Sequence, residues 1–456
     1  MRITLIDPLL DYAAHCVSEN LGLMYLGAVL REAGHEVRIV STGLSDVPHL
    51  DPDSVKGCDW VGITATSALF PNARKVLAQV RTLAPGVPVV IGGAHASVAT
   101  EDALKAGFDF AFMGESERTV IDFCTNLANG CPEQTLSTAR LVDGQMRKQD
   151  PQPLIEDLDT LPHPARDLYD YDAFQARGGW EFGMLSSRGC PFRCTFCQPT
   201  LDMIFGRMRK RGAESVAREM AAIQAQYSPP IIYFKDDTLS ANGLKWFREF
   251  AHWRDKLGIT QPWKCNTRVD KVGPKILDAM AACGCVEVVF GVESGSQRIL
   301  DFYQKDISVE QTERAFQLCH ERGIRAGANV ILGAPMETAE ELELTYQLLE
   351  RIQPDHFWVF FATALPGKAL TRYVVEHNLL KRNLGYHYYD TAMNGVYGEA
   401  NIALTHLRHE QLVAMRNRIL SLKPGASQEE TALRHGIPQH TVTSPPELGG
   451  PAPIPS

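Results

Sequence analysis

Over residues 1–125 short apolar runs alternate with amphipathic stretches. The runs Arg2–Ile6, Glu36–Val40, Trp60–Thr64, Val87–Ile91 and Phe110–Met113 predict strands buried on both faces, as in a parallel sheet. Leu21–Ala33, Asn72–Leu83 and Glu101–Ala106 carry a helical period, and Gly34 supplies the C-terminal stop of the first. The alternation predicts one doubly wound α/β domain of five strands.

Ala139–Lys148 reads as a hairpin turning at Asp143-Gly144. Pro151, Pro153, Pro162 and Pro164 follow and read as an ordered linker. From Gly183 the alternation resumes, with strands at Gly183–Ser187, Ile231–Lys235, Trp263–Thr267, Val286–Val292, Arg325–Leu332 and His356–Phe361. Helices are expected near Ala213–Tyr227, Leu244–Lys256, Pro274–Ala282, Val309–Arg322 and Thr338–Arg351. Six strand–helix units predict a partial (β/α)6 barrel in place of the closed eightfold one. A helix near His409–Leu422 ends the periodic part, and the Pro- and Gly-rich end reads as a disordered tail. The expected organisation is a doubly wound domain (1–135), hairpin and linker (136–182), barrel (183–370), helical C-terminal region (371–424) and tail (425–456).

Lys and Arg number 45 against 54 Asp and Glu, a net charge of −9, which argues against a broad nucleic-acid surface. No apolar run reaches the length of a membrane span, and Met1–Leu10 lacks a signal-peptide pattern, so a cytoplasmic location is expected. The 11 cysteines are odd in number and scattered, which argues against a disulfide framework. Cys16, Cys58, Cys124, Cys131, Cys265, Cys283, Cys285 and Cys319 read mostly as small buried hydrophobes. For Cys265, near a strand end, hydrogen-atom donation is the alternative.

Cys190, Cys194 and Cys197 stand apart, at C-x3-C-x2-C spacing just after the first barrel strand. Thiolates this close on a loop can wrap one soft metal centre. Three ligands leave the fourth iron of a cubane open to a cofactor or substrate. The plain alternatives are chance clustering and zinc, but structural zinc takes four ligands and no fourth Cys or His stands close by.

Barrel active sites lie at the carboxyl ends of the strands. There stand Lys235, Asp236 and Asp237; Arg268; Glu293 within Gly291–Gly295; Gly333–Thr338; and Leu365-Pro366-Gly367. Arg268 with Glu293 also reads as a structural salt bridge, Asp236 and Asp237 as helix caps, and Glu337-Thr338 as a helix start. In the first domain the equivalent loops are Thr64–Ser67, Gly92–Ser97 and Gly114–Glu117, whose small residues let a bulky ligand approach the backbone.

C-x3-C-x-Phe-C after a first barrel strand resembles the radical S-adenosylmethionine (SAM) superfamily. Gly22-Leu23-Met24-Tyr25-Leu26, Gly92-Gly93-Ala94-His95 and Gly114-Glu115-Ser116-Glu117 resemble the Rossmann-like cobalamin-binding-type domain that precedes many of its barrels. The likeness runs over about residues 1–370. It implies a [4Fe-4S] cluster on Cys190, Cys194 and Cys197, whose open iron chelates SAM and whose electron releases a deoxyadenosyl radical. It implies SAM contacts from Phe196, Asp236, Arg268 (on the carboxylate), Glu293 and the backbone at Leu332-Gly333. It implies cobalamin contacts from Thr64, Ser67, Gly92, Gly93, Gly114 and Glu115. The D-x-H-x-x-G signature is absent, since Asp7 is followed by Pro8 and Leu9. His95 then reads as a loop hydrogen-bonder before a cobalt ligand.

By resemblance the activity is cobalamin-dependent C-methylation of a small, natural-product type molecule, as in antibiotic biosynthesis, with a flavodoxin or ferredoxin as electron donor. The alternative is a dehydratase, deoxygenase, cyclase or epimerase, on an aminosugar for example, with a cobalamin-free N-terminal domain. A non-catalytic iron–sulfur or zinc binder is the reading from another class. The residues assign no catalytic acid, base or hydrogen donor.

Overall fold

The computed structural model describes residues 1–9, 19–42, 49–176, 181–198, 200–380 and 407–422. Strands β1 (Arg2–Asp7), β2 (Glu36–Ser41), β3 (Trp60–Thr64), β4 (Val89–Gly92) and β5 (Phe110–Phe112) pair in parallel in the order β2-β1-β3-β4-β5. The direction of winding reverses between β1 and β3, and ligands of such sheets bind beyond the carboxyl ends there. Strands β6 (Thr138–Val142) and β7 (Gln145–Lys148) continue this sheet antiparallel beyond β5. The hairpin assigned to the linker is therefore the edge of the N-terminal sheet. Its turn uses two left-handed residues, Asp143 (φ 51°) and Gly144 (φ 74°), as two-residue hairpins prefer.

Helix Leu21–Glu32 starts where the Asn20 side chain accepts from Leu23 N at 3.1 Å. It packs with helix Glu117–Ala128, which the periodicity reading omitted, over one core layer. The opposite layer, with Phe70, Val76 and Val80, is continuous with Ile299, Tyr303, Ala334 and Ala362 of the second half. The two halves thus share a core at their junction. The Gly22–Leu26 segment serves that junction: Met24 is buried in the barrel's own core, and its carbonyl accepts from Ala165 N.

The expected strand Gly183–Ser187 is two strands, β8 (Glu181–Met184) and β9 (Ser187–Arg188). The ladder breaks because the Asp236 carboxylate takes Ser186 N, and β9 leaves to pair antiparallel with β10 (Arg209–Lys210). The barrel sheet is β8, β11 (Ile231–Phe234), β12 (Trp263–Thr267), β13 (Cys285–Glu293), β14 (Arg325–Leu332) and β15 (His356–Phe361), six parallel strands in chain order. Its convex side buries Phe234, Trp263, Val288 and Phe290 against the helices. Each such side chain contributes roughly 1.5–3 kcal/mol on burial.

Cys265 points into this helix-side core, where it meets Cys285. That placement takes it away from the concave face and leaves it the structural thiol. On the concave face Glu287 gathers Lys264 (3.8 Å), Arg325 (2.5 Å) and His356 (3.7 Å), near the strands' amino ends. Helix His409–Leu420 packs on β15 and on helix Ala339–Ile352. The expected tail (425–456) lies outside the described residues. Among those residues no helix is long and apolar enough to cross a membrane.

Candidate functional site

The cysteines occupy the long loop between β9 and β10. Asp236, 1% exposed, anchors its root: it accepts from Ser186 N (3.0 Å), Ser186 Oγ (2.7 Å) and Ser187 Oγ (2.5 Å). These bonds engage both carboxylate oxygens. Asp236 therefore holds the root of the loop, and the helix cap considered for it does not form, since the following N-caps are Thr238 and Gly243. Gln198, which sequence reasoning missed, cinches the loop from inside. Its amide donates to Phe192 O (3.1 Å) and accepts from Asp202 N, and its backbone N–H donates to Cys194 O (2.8 Å).

Arg268, 4% exposed, donates to Asp270 (2.8 Å), to Lys305 O and to Cys194 Sγ (3.5 Å), and lies 3.9 Å over the Phe192 ring. Glu293 pairs with Lys305 Nζ at 2.7 Å, so the expected Arg268–Glu293 bridge does not form. Glu293 adopts φ 63° where β13 shifts register, a strained backbone of the kind found at ligand sites. Lys305 is the second residue that sequence reasoning missed. It sits between left-handed Gln304 and Asp306, in a turn without a readable motif. Phe196 packs edge-on to the Tyr303 ring at 5.1 Å.

Leu332 ends β14 with its carbonyl bonded to Ala362 N (2.8 Å). Glu337 holds the following turn, accepting from Gly333 N (2.6 Å) and Ala334 N (3.1 Å). The capping box of the next helix belongs to Thr338 and Glu341, so the expected helix start begins one residue after Glu337.

The residues present fit a cluster with SAM. Three soft thiols share one loop, and burial pushes the Cys197 thiol up to about 11, against the pull of Lys368 and Lys305. Thiols held neutral in this way ionise on metal binding. Among the described residues no three His, Cys, Asp or Glu, these cysteines included, already stand close enough to hold a single ion. Thr195 Oγ1, Tyr303 Oη and Glu337 Oε1 are buried without a hydrogen-bond partner among these residues, as a site completed by a ligand would leave them.

In the N-terminal domain the three expected loops do converge. Ser97 Oγ donates to Gly93 O (3.1 Å) and accepts from Gly114 N (2.9 Å). A cavity of about 560 Å³ opens beside Ser97, Gly114, Glu115 and Arg118 and runs toward Gln152 and Met203; Thr64, Ser67, Gly92 and Gly93 are not in its lining. A Cβ on Gly92 would meet nothing within 4 Å, so that backbone is open to a bulky ligand. Gly93 is different. At φ 88° its Cβ would stand 2.8 Å from Thr64 Oγ1 and 2.9 Å from Ala65 O. Gly93→Ala should therefore cost about 1–3 kcal/mol and weaken cobalamin uptake, checked by urea denaturation and by absorbance of the bound corrin.

Ser67 bonds His95 Nδ1 at 3.1 Å, and His95 stacks on Phe70 at 3.9 Å. Burial lowers the His95 pKa to about 3, so the ring is neutral, and it has the loop hydrogen bond expected of it. Glu115 is tied into the protein by ion pairs. Its oxygens are taken by Arg188 (3.0 Å) and Arg209 (2.7 and 2.8 Å), and Glu117 also grips Arg188 (2.5 Å). The two arginines face each other across the β9–β10 ribbon, at the two ends of the cysteine loop. Glu115 thus joins the two halves while also lining the cavity beside Gly114. Neither Arg188, two residues before Cys190, nor Arg209 belongs to the C-x3-C-x-Phe-C motif.

Comparison with known proteins agrees with this geometry. The radical SAM superfamily model matches residues 184–349, and the B12 binding domain model matches residues 13–123. An uncharacterized methyltransferase of Pyrococcus horikoshii is 32% identical over 392 residues, covering 83% of this chain and 84% of that protein. The cytidylyl-2-hydroxyethylphosphonate methyltransferase of Streptomyces wedmorensis is 26% identical over 423 residues, 79% and 78% of the two chains. The structure of TsrM from Kitasatospora setae with cobalamin and a [4Fe-4S] cluster shares the fold, with TM-score 0.74, 17% identity and coverage of 93% and 89%. The cofactors are accordingly a [4Fe-4S] cluster, SAM and cobalamin. The chain belongs to the radical SAM superfamily, as an enzyme with an N-terminal B12 binding domain.

Proposed function

We propose that this enzyme is a cobalamin-dependent radical SAM C-methyltransferase acting on a small molecule. One observation carries the reading. The loops expected to hold cobalamin and the loop carrying the cysteines are locked together by the buried Glu115–Arg188–Arg209 ion pairs. A methyl donor and a radical generator must act on one carbon, and this junction holds their two sites in register. When bound, the cluster and SAM supply a carbon-centred radical and cobalamin supplies a methyl group.

The chain's own residues prepare that chemistry. Cys190, Cys194 and Cys197 ligate the cluster. Arg268 and Lys305 balance the thiolates from within a water-poor shell, which strengthens each electrostatic contact. Arg268 exchanges its protein partners for the SAM carboxylate, and Glu293 receives the SAM amino group. On the concave face Tyr233, Asn266 (2.6 Å from the Tyr233 hydroxyl) and Trp358 meet the substrate. A flavodoxin or ferredoxin docks beside exposed Pro191 and Arg193.

The test is anaerobic reconstitution with iron, sulfide and hydroxocobalamin, followed by SAM turnover with reductant. Deoxyadenosine and S-adenosylhomocysteine forming in equal amounts, with one corrin per chain, are expected. Deoxyadenosine alone from a corrin-free protein would transfer the assignment to the lyase-like alternative.

A further inference from the structure

The segment Gly367–Leu370 is wedged against both halves of the molecule. It follows β15 and opens helix Ala369–Glu376. Ala369 N donates to Gln198 O (2.8 Å) and Leu370 N to Thr195 O (2.9 Å). The first N–H groups of this helix thus grip the cysteine loop on either side of Cys197. Gly367, at φ 79°, has no room for a side chain: a Cβ would stand 2.8 Å from Val98 Cβ in the N-terminal half and 3.2 Å from Thr200 Oγ1. Lys368 lies between these contacts, half-buried, with its backbone fixed beside the Cys197–Gln198 stretch.

The cations around Cys197 differ in one respect. Lys368 acts on this thiol more strongly than Lys305 does. Lys305 is matched by Glu293 at 2.7 Å, as Arg268 is by Asp270 at 2.8 Å. Lys368 forms no ion pair among the described residues, and Cys197 is the charged neighbour that acts on it. A desolvated ammonium without a counter-anion is costly, so its surroundings call for an anion at the Cys197 corner. Two hydroxyls of the same stretch, Thr195 Oγ1 and Thr200 Oγ1, are buried without a hydrogen-bond partner among the described residues. Orphaned donors of that kind mark a place that a bound group completes.

We propose that Lys368 tunes the cluster: its ammonium, held at the Cys197 corner, favours the reduced form and so raises the reduction potential. The inference rests on the three cysteines carrying the cluster. On reduction one electron enters from an external one-electron donor, no bond forms or breaks, and the cluster gains one negative charge. A fixed positive charge in a low-dielectric shell favours that more negative state. Arg268 and Lys305, each already matched by a carboxylate, supply less net charge to it. Lys368 is then a positioning residue that acts through the cluster's electrostatics, set in place by the two backbone bonds of its helix.

The test is a potentiometric titration of the reconstituted full-length enzyme without SAM, followed by the electron paramagnetic resonance of the reduced cluster. In Lys368→Met the reduced-to-oxidised ratio at the wild-type midpoint should fall roughly tenfold, which is about 59 mV for one electron. Lys368→Gln should fall with it. Lys368→Arg keeps the charge and should stay within about twofold of the wild type. Iron content and absorbance near 400 nm show whether each variant holds the cluster. A neutral variant with full iron and the wild-type midpoint overturns the proposal, and so does an arginine variant shifted as far as the neutral ones. Loss of the iron from both neutral variants would make Lys368 an assembly residue and overturn it too. A wild type that takes up no iron would overturn the cysteine assignment itself, which the absorbance reads separately from any midpoint.

Discussion

Cys194→Ala should abolish cluster assembly and bring reductive SAM cleavage to background, with the protein still folded. Cys194 is the least solvent-exposed of the three loop cysteines, at 7%, and Arg268 Nη1 reaches its sulfur at 3.5 Å. Its backbone carbonyl is bonded to Gln198 N, and the loop root is held by Asp236 independently of the thiol. Removing the sulfur therefore deletes a ligand while its scaffold stays in place. Two thiols cannot hold a cubane whose open iron must also bind SAM. Iron content, absorbance near 400 nm and deoxyadenosine yield are the readouts, with circular dichroism as the check on folding. Cleavage that persists in this variant would remove the cluster from Cys194 and, with it, the assignment of the loop.

The second large effect concerns stability. Glu219→Ala should destabilise the protein by about 3–5 kcal/mol, the usual cost of leaving buried charges unpaired. Glu219, 2% exposed, pairs with Arg166 (3.0 Å) and Arg211 (2.5 Å). Arg166 in turn holds Glu19 (3.0 Å), the Tyr171 hydroxyl (3.0 Å) and Gly183 O (2.7 Å). One buried guanidinium thus ties the start of the N-terminal half, the linker and the first barrel strand together.

Burial opposes the Glu219 charge, but Arg211 and Arg166 outweigh it and hold its carboxyl below the ordinary value. A carboxyl lowered in the folded state adds stability above its unfolded pKa of about 4.3, and that stability is lost as pH falls through the folded value. The wild type should lose part of its urea midpoint on acidification below about pH 4.3, and the variant should lose less over the same range. A midpoint change equivalent to less than about 1 kcal/mol at neutral pH would show that the network is not what holds the halves.

Much of this enzyme was readable along the chain because it depends on neighbours in sequence. Strand and helix alternation, the six barrel strands and the cysteine spacing are periodic or local. The likeness that names the cofactors lies in short segments of the same kind. What the chain did not reveal is which charged groups pair with one another inside the fold; the Arg268–Glu293 bridge, for one, gives way to Glu293–Lys305. Glu115 and Asp236 stand at positions expected to touch cofactors, yet one holds Arg188 and Arg209 and the other holds Ser186 and Ser187. Lys305, Gln198 and Arg166 had no motif, and their partners come from distant segments. The hairpin was found at its residues but misassigned to the linker, because sheet membership depends on β5, a strand far back in the chain.

Sequence by itself determined the radical SAM and B12-binding parts and the kind of chemistry, since each needs only residue types at set spacings. The tertiary structure alone decided which charged groups pair, Glu115 with Arg188 and Arg209 and Glu219 with Arg166 and Arg211. The physical reason is that a charge inside a protein is governed by whatever packs against it, and here that comes from elsewhere in the chain.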